Sequence, residues 1–231
     1  LGQQLGDNPD GNLTSKQVEF ARTIHGAGTD LLNLISDILD LSKIESGTVT
    51  VNAEEIYFAN LIEMVARPFR HEAENRGLNF EVSIDPQLGR SLTTDAKRLQ
   101  QVLKNLLSNA FKFTEKGSVS LAIGSAEGSP LRAGSRWMAF AVTDTGIGIA
   151  EDKQRIIFEA FQQADGTTSR KYGGTGLGLA ISREIARLLG GEIVVESRVG
   201  TGSTFPLFLP FEPPVQAITG RAPDAAEAGA S

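Results

Sequence analysis

The 231-residue chain contains no cysteine. Disulfides, thiolate metal sites and a cysteine nucleophile are therefore excluded, and the composition is compatible with a reducing, cytoplasmic compartment. No apolar run approaches the ~20 residues of a membrane-spanning helix, so no membrane contact is expected of this segment. The opening Leu1-Gly2-Gln3-Gln4 is not a secretory signal, and it lacks an initiating Met, so a longer parent is expected. Positive charge is not in excess either: the formal net charge is −6. That gives no general reason to expect nucleic acid or an anionic membrane as partner. No internal repeat is present.

What is present suffices for an ordinary soluble core, with 40% apolar and 22% charged residues. The length fits one large domain, or one domain plus an extra element. Residues 1–12 are polar and punctuated by Gly6, Pro9 and Gly11, which predicts an entering loop. Thr14 or Ser15 can cap a helix over residues 13–46, ended by Gly47 and roughly 50 Å long. Along it Phe20, Ile24, Ala27, Leu31, Leu34, Ile38 and Leu41 alternate by three and four, flanked by Leu32, Ile35 and Leu39. A seam this wide fits a helical bundle, and a compact domain on one side cannot bury all of it.

Further on, the pattern predicts a strand at Thr48–Val51, a helix at Ala59–Asn75, a strand at Asn79–Ile84 and a helix from Asp95 to Phe113. Strands at Ser118–Ile123 and Trp137–Thr143 flank a polar loop at Gly124–Ser135. A short helix at Glu151–Phe158, a helix at Ala180–Leu189 and strands at Ile193–Glu196 and Ser203–Leu209 follow. This order reads as α+β: a two-layer α/β sandwich with a mixed sheet and helices on one face, preceded by a long bundle-forming helix. Residues 47–211 form the compact unit, and 212–231, rich in Pro and Ala, read as a disordered linker or tail.

Four stretches carry chemistry. On the 95–113 helix, Gln101, Asn105, Ser108, Asn109 and Lys112 share the face opposite the apolar stripe, with no carboxylate among them. Amide oxygens suit a hard, hydrated cation such as Mg²⁺ that already carries phosphate ligands, and a lysine one turn on suits the phosphates. A solvated helix face accounts for the same pattern. Asp144-Thr145-Gly146-Ile147-Gly148-Ile149 leaves a strand; its carboxylate can accept from an exocyclic amine, although a plain hairpin exit has the same composition. Gly173-Gly174-Thr175-Gly176-Leu177-Gly178-Leu179 opens a helix, an arrangement suited to anions. The dinucleotide fingerprint is excluded by Leu179 where glycine is required, and the Walker loop by the lack of any Gly-Lys. Gly200, Gly202 and Thr204 form a weaker cluster before the last strand.

In this order and spacing the four stretches resemble the ATP-binding domain of histidine protein kinases of two-component systems, within the gyrase, Hsp90 and MutL-type ATPase fold. The asparagine helix is similar to that family's Asn box, and Asp144–Ile149, Gly174–Leu179 and Gly200–Phe205 to its three Gly boxes. Phe158-Glu159-Ala160-Phe161 resembles its Phe box, and residues 161–174 resemble the hybrid kinases, which carry their own receiver domain. Leu39-Asp40-Leu41-Ser42-Lys43-Ile44-Glu45 resembles the end of the second helix of a dimerisation and histidine-phosphotransfer domain, spanning 13–46.

The resemblance implies ATP and Mg²⁺ as ligands. Asn109 is implied as the metal ligand with Asn105 nearby, Lys112 on the phosphates, Phe113 beside the nucleotide and Asp144 on the adenine amino group. Gly146, Gly148, Ile149, Gly174, Thr175, Gly176, Leu177, Gly178, Leu179 and Thr204 complete the implied nucleotide site, and residues 161–174 its lid. The implied reaction moves the γ-phosphoryl group to a histidine on a dimerisation helix, then to a response-regulator receiver aspartate, in an intact homodimer. Asn105 stands where ATP-hydrolysing cousins carry a glutamate, and an amide cannot activate water as that base does. Asn105 and Lys112 are the implied catalytic residues.

Departures are informative. The family's acceptor motif, His-Glu followed closely by a Pro, is not in this sequence. His25 precedes Gly26, and His71-Glu72 is followed by Arg76 where Pro is wanted. Gln163 replaces a frequent lid arginine, a charge Arg170 or Lys171 can supply. An ATP-hydrolysing member of the same fold and a nucleotide-binding regulatory module without phosphotransfer are the alternative readings.

Overall fold

A computed structural model describes residues 1–129, 132–160 and 176–211. Helix α1 (Gly2–Asp7) packs antiparallel on α2 (Ser15–Glu45). Thr14 starts α2 with a capping box: its hydroxyl accepts from Gln17 N–H at 3.3 Å, and Gln17 Oε1 accepts from Thr14 N–H at 2.9 Å. Residues 1–12 are thus not all loop, as their glycines predict. The short helix exists through tertiary contact, with Arg22 Nε donating to the Gly6 carbonyl at 3.1 Å.

The body follows as β1 (Glu54–Tyr57), α3 (Phe58–Arg76), β2 (Asn79–Ile84), β3 (Ser91–Thr94), α4 (Ala96–Phe113), β4 (Ser118–Ser129) and β5 (Arg132–Asp144). Two 3₁₀ turns, Glu151–Lys153 and Ile156–Phe158, precede α5 (Gly178–Leu188), β6 (Glu192–Ile193), β7 (Glu196–Arg198) and β8 (Gly202–Pro210). The main sheet runs β2-β4-β5-β8-β6, with β7 also on β8. Only β2 and β4 pair in parallel among the described strands, so the sheet is mixed as predicted.

Alternation sets the layers. Val119, Leu121 and Ile123 of β4 and Met138, Phe140 and Val142 of β5 are buried, while the residues between them are not. Their face packs under α3, α4 and α5, whose Leu61, Val65, Leu99, Leu103, Leu106, Phe111 and Ile185 complete one core.

Four sequence expectations are corrected. Thr48–Val51 is not a strand; a ribbon of β1 and β3 forms instead, from partners far apart in sequence with no local turn signal. The loop predicted at Gly124–Ser135 is mostly ladder, because backbone pairing continues past the last apolar side chain. The Glu151–Phe158 helix is two 3₁₀ turns. The Ile193–Glu196 strand is split at Pro206, which accepts from Val194 N–H at 3.1 Å but has no N–H to return.

The seam on α2 divides. Leu34, Leu41 and Ile44 pack on the core, whereas Ile24, Leu31, Leu32 and Leu39 remain more than half exposed. The docked end is pinned to α4: Gln101 Nε2 donates to Asp40 Oδ2 at 3.0 Å, and Arg98 Nη1 lies 3.8 Å from the same oxygen.

Both ends of α4 are tied. Asp95 caps its start, accepting from Arg98 N–H and from Asn52 N–H, each at 3.0 Å. At its end Arg76 of α3 donates to the carbonyls of Phe111 at 2.6 Å and Thr114 at 2.8 Å. Arg76→Met keeps the packing stem and removes both bonds. It is expected to destabilise the chain by about 2 kcal/mol, the worth of hydrogen bonds from a charged group, measured by urea denaturation. An unchanged midpoint would show that water satisfies these carbonyls equally well.

Candidate functional site

Helix α4 turns its apolar stripe to the core and leaves Asn105, Asn109 and Lys112 half-buried on its other side. Two glycine-rich segments close on this side at points about 12 Å apart along the helix. At the first, Asn105 Nδ2 donates to Ser182 Oγ of α5 at 2.9 Å, and a Cβ on Gly178 would lie 2.3 Å from Asn105 Oδ1. Only glycine lets the start of α5 come this close, and no side chain caps that helix end. At the second point, Ile147 N–H donates to the Phe113 carbonyl at 3.3 Å, and a Cβ on Gly146 would lie 2.3 Å from that oxygen. The Asn box and the first two glycine clusters thus meet on one helix.

Asp144 ends β5 and is buried. Its Oδ1 accepts from Gly146 N–H at 2.8 Å, and its ladder partner Ser203 brings a backbone N–H and a hydroxyl, both neutral donors, to its side. Burial raises the carboxyl above its usual range, and these neutral donors pull it partly back. Lys112 is shifted down by desolvation, with its Nζ 5.1 Å above the Phe113 ring. Among the described residues Asn109 makes no side-chain hydrogen bond, and no cluster of three or more His, Asp or Glu is positioned to hold a metal.

Of the other predicted residues, Gly148 has φ +68 and sits against the Arg198 carbonyl. Ile149 N–H donates to Ser197 Oγ at 2.8 Å. Gly176 is left-handed, Leu177 is fully buried and Leu179 partly so. Thr204 is not brought to Asp144: its hydroxyl meets Thr143 Oγ1 at 3.1 Å, one residue out of phase and so on the opposite sheet face. Ser203, paired with Asp144 in the ladder, occupies that place. Ser203 and Ser182 were missed because pairing register and helix juxtaposition leave no mark on local sequence. Gln101 faces Asp40 of α2 and not the cleft. Gly174, Thr175, Phe161, Gln163, Arg170 and Lys171 lie outside the described residues. His25 and His71 are both exposed, the latter 3.9 Å from Glu74.

Residues 94–213 match the family described as histidine kinase-, DNA gyrase B-, and HSP90-like ATPase, and the chain belongs to it. It is 41% identical over 215 residues to the circadian input-output histidine kinase CikA of Synechococcus elongatus, covering 91% of this chain and 27% of that protein. It is 38% identical over 206 residues to hybrid signal transduction histidine kinase L of Dictyostelium discoideum, covering 88% and 12%. The full-length structure of ShkA in complex with AMPPNP superposes with a TM-score of 0.74 at 29% identity, covering 92% of this chain and 42% of that one. The chain spans about a quarter or less of these curated relatives. It therefore carries the ATPase-type catalytic domain of a histidine kinase, homologous to those of sensor and hybrid kinases. No described helix is long and apolar enough to cross a membrane.

A carboxyl raised by folding binds its proton more tightly in the folded than in the unfolded chain, so its ionisation above that range opposes folding. Asp144→Asn removes the ionisation. The ligand-free variant is expected to be at least as stable as the parent at neutral pH, its advantage shrinking as pH falls through the carboxylate range. Urea midpoints across that range test this; a strongly destabilised variant would mean that the bonds from Gly146 and Ser203 outweigh the desolvation.

Proposed function

We propose that this chain binds Mg-ATP between α4 and its two glycine-rich neighbours and is the catalytic part of a hybrid-type sensor histidine kinase. The γ-phosphoryl group would pass to a histidine on a dimerisation helix and then to a receiver aspartate. The observation that carries the reading is Asp144: a buried carboxylate held only by neutral donors, beside the Phe113 carbonyl, where the adenine amino group can donate to it. An exposed or ion-paired carboxylate would select nothing of the kind.

The remaining residues fit the rest of the nucleotide. The uncapped start of α5 suits phosphates, and Lys112, half-buried near the end of α4, suits their charge. Asn109 and Asn105 offer amide oxygens to a Mg²⁺ already on the phosphates; when bound, the ion neutralises charge on the transferred group. Asn105 donates to Ser182, which orients its amide, and an amide cannot serve as a hydrolytic base. Phosphoryl transfer needs positioning and charge neutralisation more than a protein base, so this set suits transfer to a histidine better than hydrolysis. The α1–α2 hairpin and the exposed half of the α2 seam support residues 13–46 as the second helix of a dimerisation domain, with a homodimer as the intact form.

Two titrations test the site. Asp144→Asn is expected to weaken ATP binding tenfold or more, the worth of a hydrogen bond of ~1.5–3 kcal/mol to a charged group, and GTP is expected to bind poorly to the parent. Asn109→Ala is expected to remove the Mg²⁺ dependence of ATP affinity without unfolding α4, since alanine favours helix. Equal affinity for ATP and GTP, or intact Mg²⁺ dependence in Asn109→Ala, contradicts the respective assignment.

Transfer is tested with γ-labelled ATP and a separate dimerisation domain bearing the acceptor histidine. Acid-labile label is expected on that domain and not on this chain. Steady phosphate release without label would favour the hydrolase reading. Label on this chain that is lost in His25→Ala or His71→Ala would refute an acceptor located elsewhere.

A further inference from the structure

Ser197 lies on β7, outside every motif that pointed to the nucleotide, yet its hydroxyl joins three segments around Asp144. It accepts from Ile149 N–H at 2.8 Å, donates to the Gly202 carbonyl at 2.9 Å and lies 3.0 Å from Ser203 Oγ. Gln154 closes the same junction from the other side. Its Nε2 donates to the Ile149 carbonyl at 3.1 Å and to the Ser197 carbonyl at 2.8 Å. Ser203 in turn is the ladder partner of Asp144 across β5 and β8, and its polar groups help hold the raised carboxyl down.

We propose that Ser197 is a positioning residue for purine selection: with Gln154 it fastens the Asp144–Ile149 loop to β7 and β8, and through Ser203 it sets the direction in which Asp144 faces the base. This rests on Asp144 being the acceptor for the adenine amino group. The hydroxyl protons leave little slack. Ser197 and Ser203 hold two, while three acceptors compete for them: the Gly202 carbonyl, the facing serine oxygen and the Asp144 carboxylate. When Ser203 points its proton at Asp144, its oxygen is left to accept, and the single Ser197 proton is shared between that oxygen and the Gly202 carbonyl. Without the Ser197 oxygen, the Ile149 N–H loses its acceptor and Ser203 loses the neighbour that orients it. The carboxylate then keeps its charge but not its direction.

A plain fastening role and a positioning role differ in what they do to different nucleotides. Loosening the loop alone weakens every nucleotide alike. Misdirecting Asp144 weakens only those that bear the 6-amino group. Calorimetric titration of the full chain with ATP and with purine riboside triphosphate, which lacks that amino group, yields a discrimination factor for each variant. Ser197→Ala is expected to lower the factor roughly three- to tenfold, the worth of about one hydrogen bond, and Ser197→Thr to preserve it. Gln154→Met, which leaves the serine in place, is expected to lower it in the same direction. Equal loss of both ligands in Ser197→Ala, or an unchanged factor, overturns the proposal while a discriminating parent keeps the Asp144 reading intact. A parent that does not prefer ATP overturns both. Should Ser197→Ala fail to fold, Gln154→Met carries the same expectation and the same refutation.

Discussion

The seating of α4 is the constraint on which the rest depends. One face of this helix is driven into the core by residues with almost no exposed surface, among them Leu99, Leu103, Leu106 and Phe111. Burying such side chains is worth about 1.5–3 kcal/mol each, and together they outweigh the polar contacts on the other face. The helix therefore cannot rotate to suit a ligand. Its axial position is held as firmly, by Asp95 at one end and Arg76 at the other. With rotation and slide both fixed, Asn105, Asn109 and Lys112 stand at set points, and the glycine-rich segments adapt to them. The absence of a Cβ at Gly178 and Gly146 lets those segments approach within contact of Asn105 Oδ1 and the Phe113 carbonyl.

The same helix joins two parts of the fold. Its first turns hold α2 through Asp40 on Gln101 and Arg98, and the segment that follows α2 through Asp95 on Asn52, and its last turns face the proposed nucleotide. The contact with α2 is small and polar at its rim, with Leu34, Leu41 and Ile44 beneath. The exposed stretch from Ile24 to Leu32 lies beyond it, where the core does not reach.

Much of this was legible in the sequence, for identifiable reasons. The 3.6-residue stripe of α4 and the alternation in β4 and β5 are local consequences of burial on one face, so composition at fixed spacing reveals them. Gly146 and Gly178 stood out because close approach of backbone leaves a residue type behind. What was not legible depended on partners distant in the chain. The β1–β3 ribbon needs two segments with no turn between them, and α1 needs Arg22 of the next helix. Thr204 and Ser203 are chemically alike, and only the ladder register with Asp144 decides which hydroxyl reaches it. Ser197 and Gln154 act through bonds to backbone, which any polar residue type can make.

A crystal structure of the chain with Mg²⁺ and a non-hydrolysable ATP analogue tests the central claim most directly. The adenine amino group is predicted within hydrogen-bond distance of the Asp144 carboxylate, the triphosphate at the start of α5, and the metal on the Asn109 amide oxygen. An analogue bound elsewhere, or bound in the cleft with Asp144 still facing only Gly146 and Ser203, would contradict it.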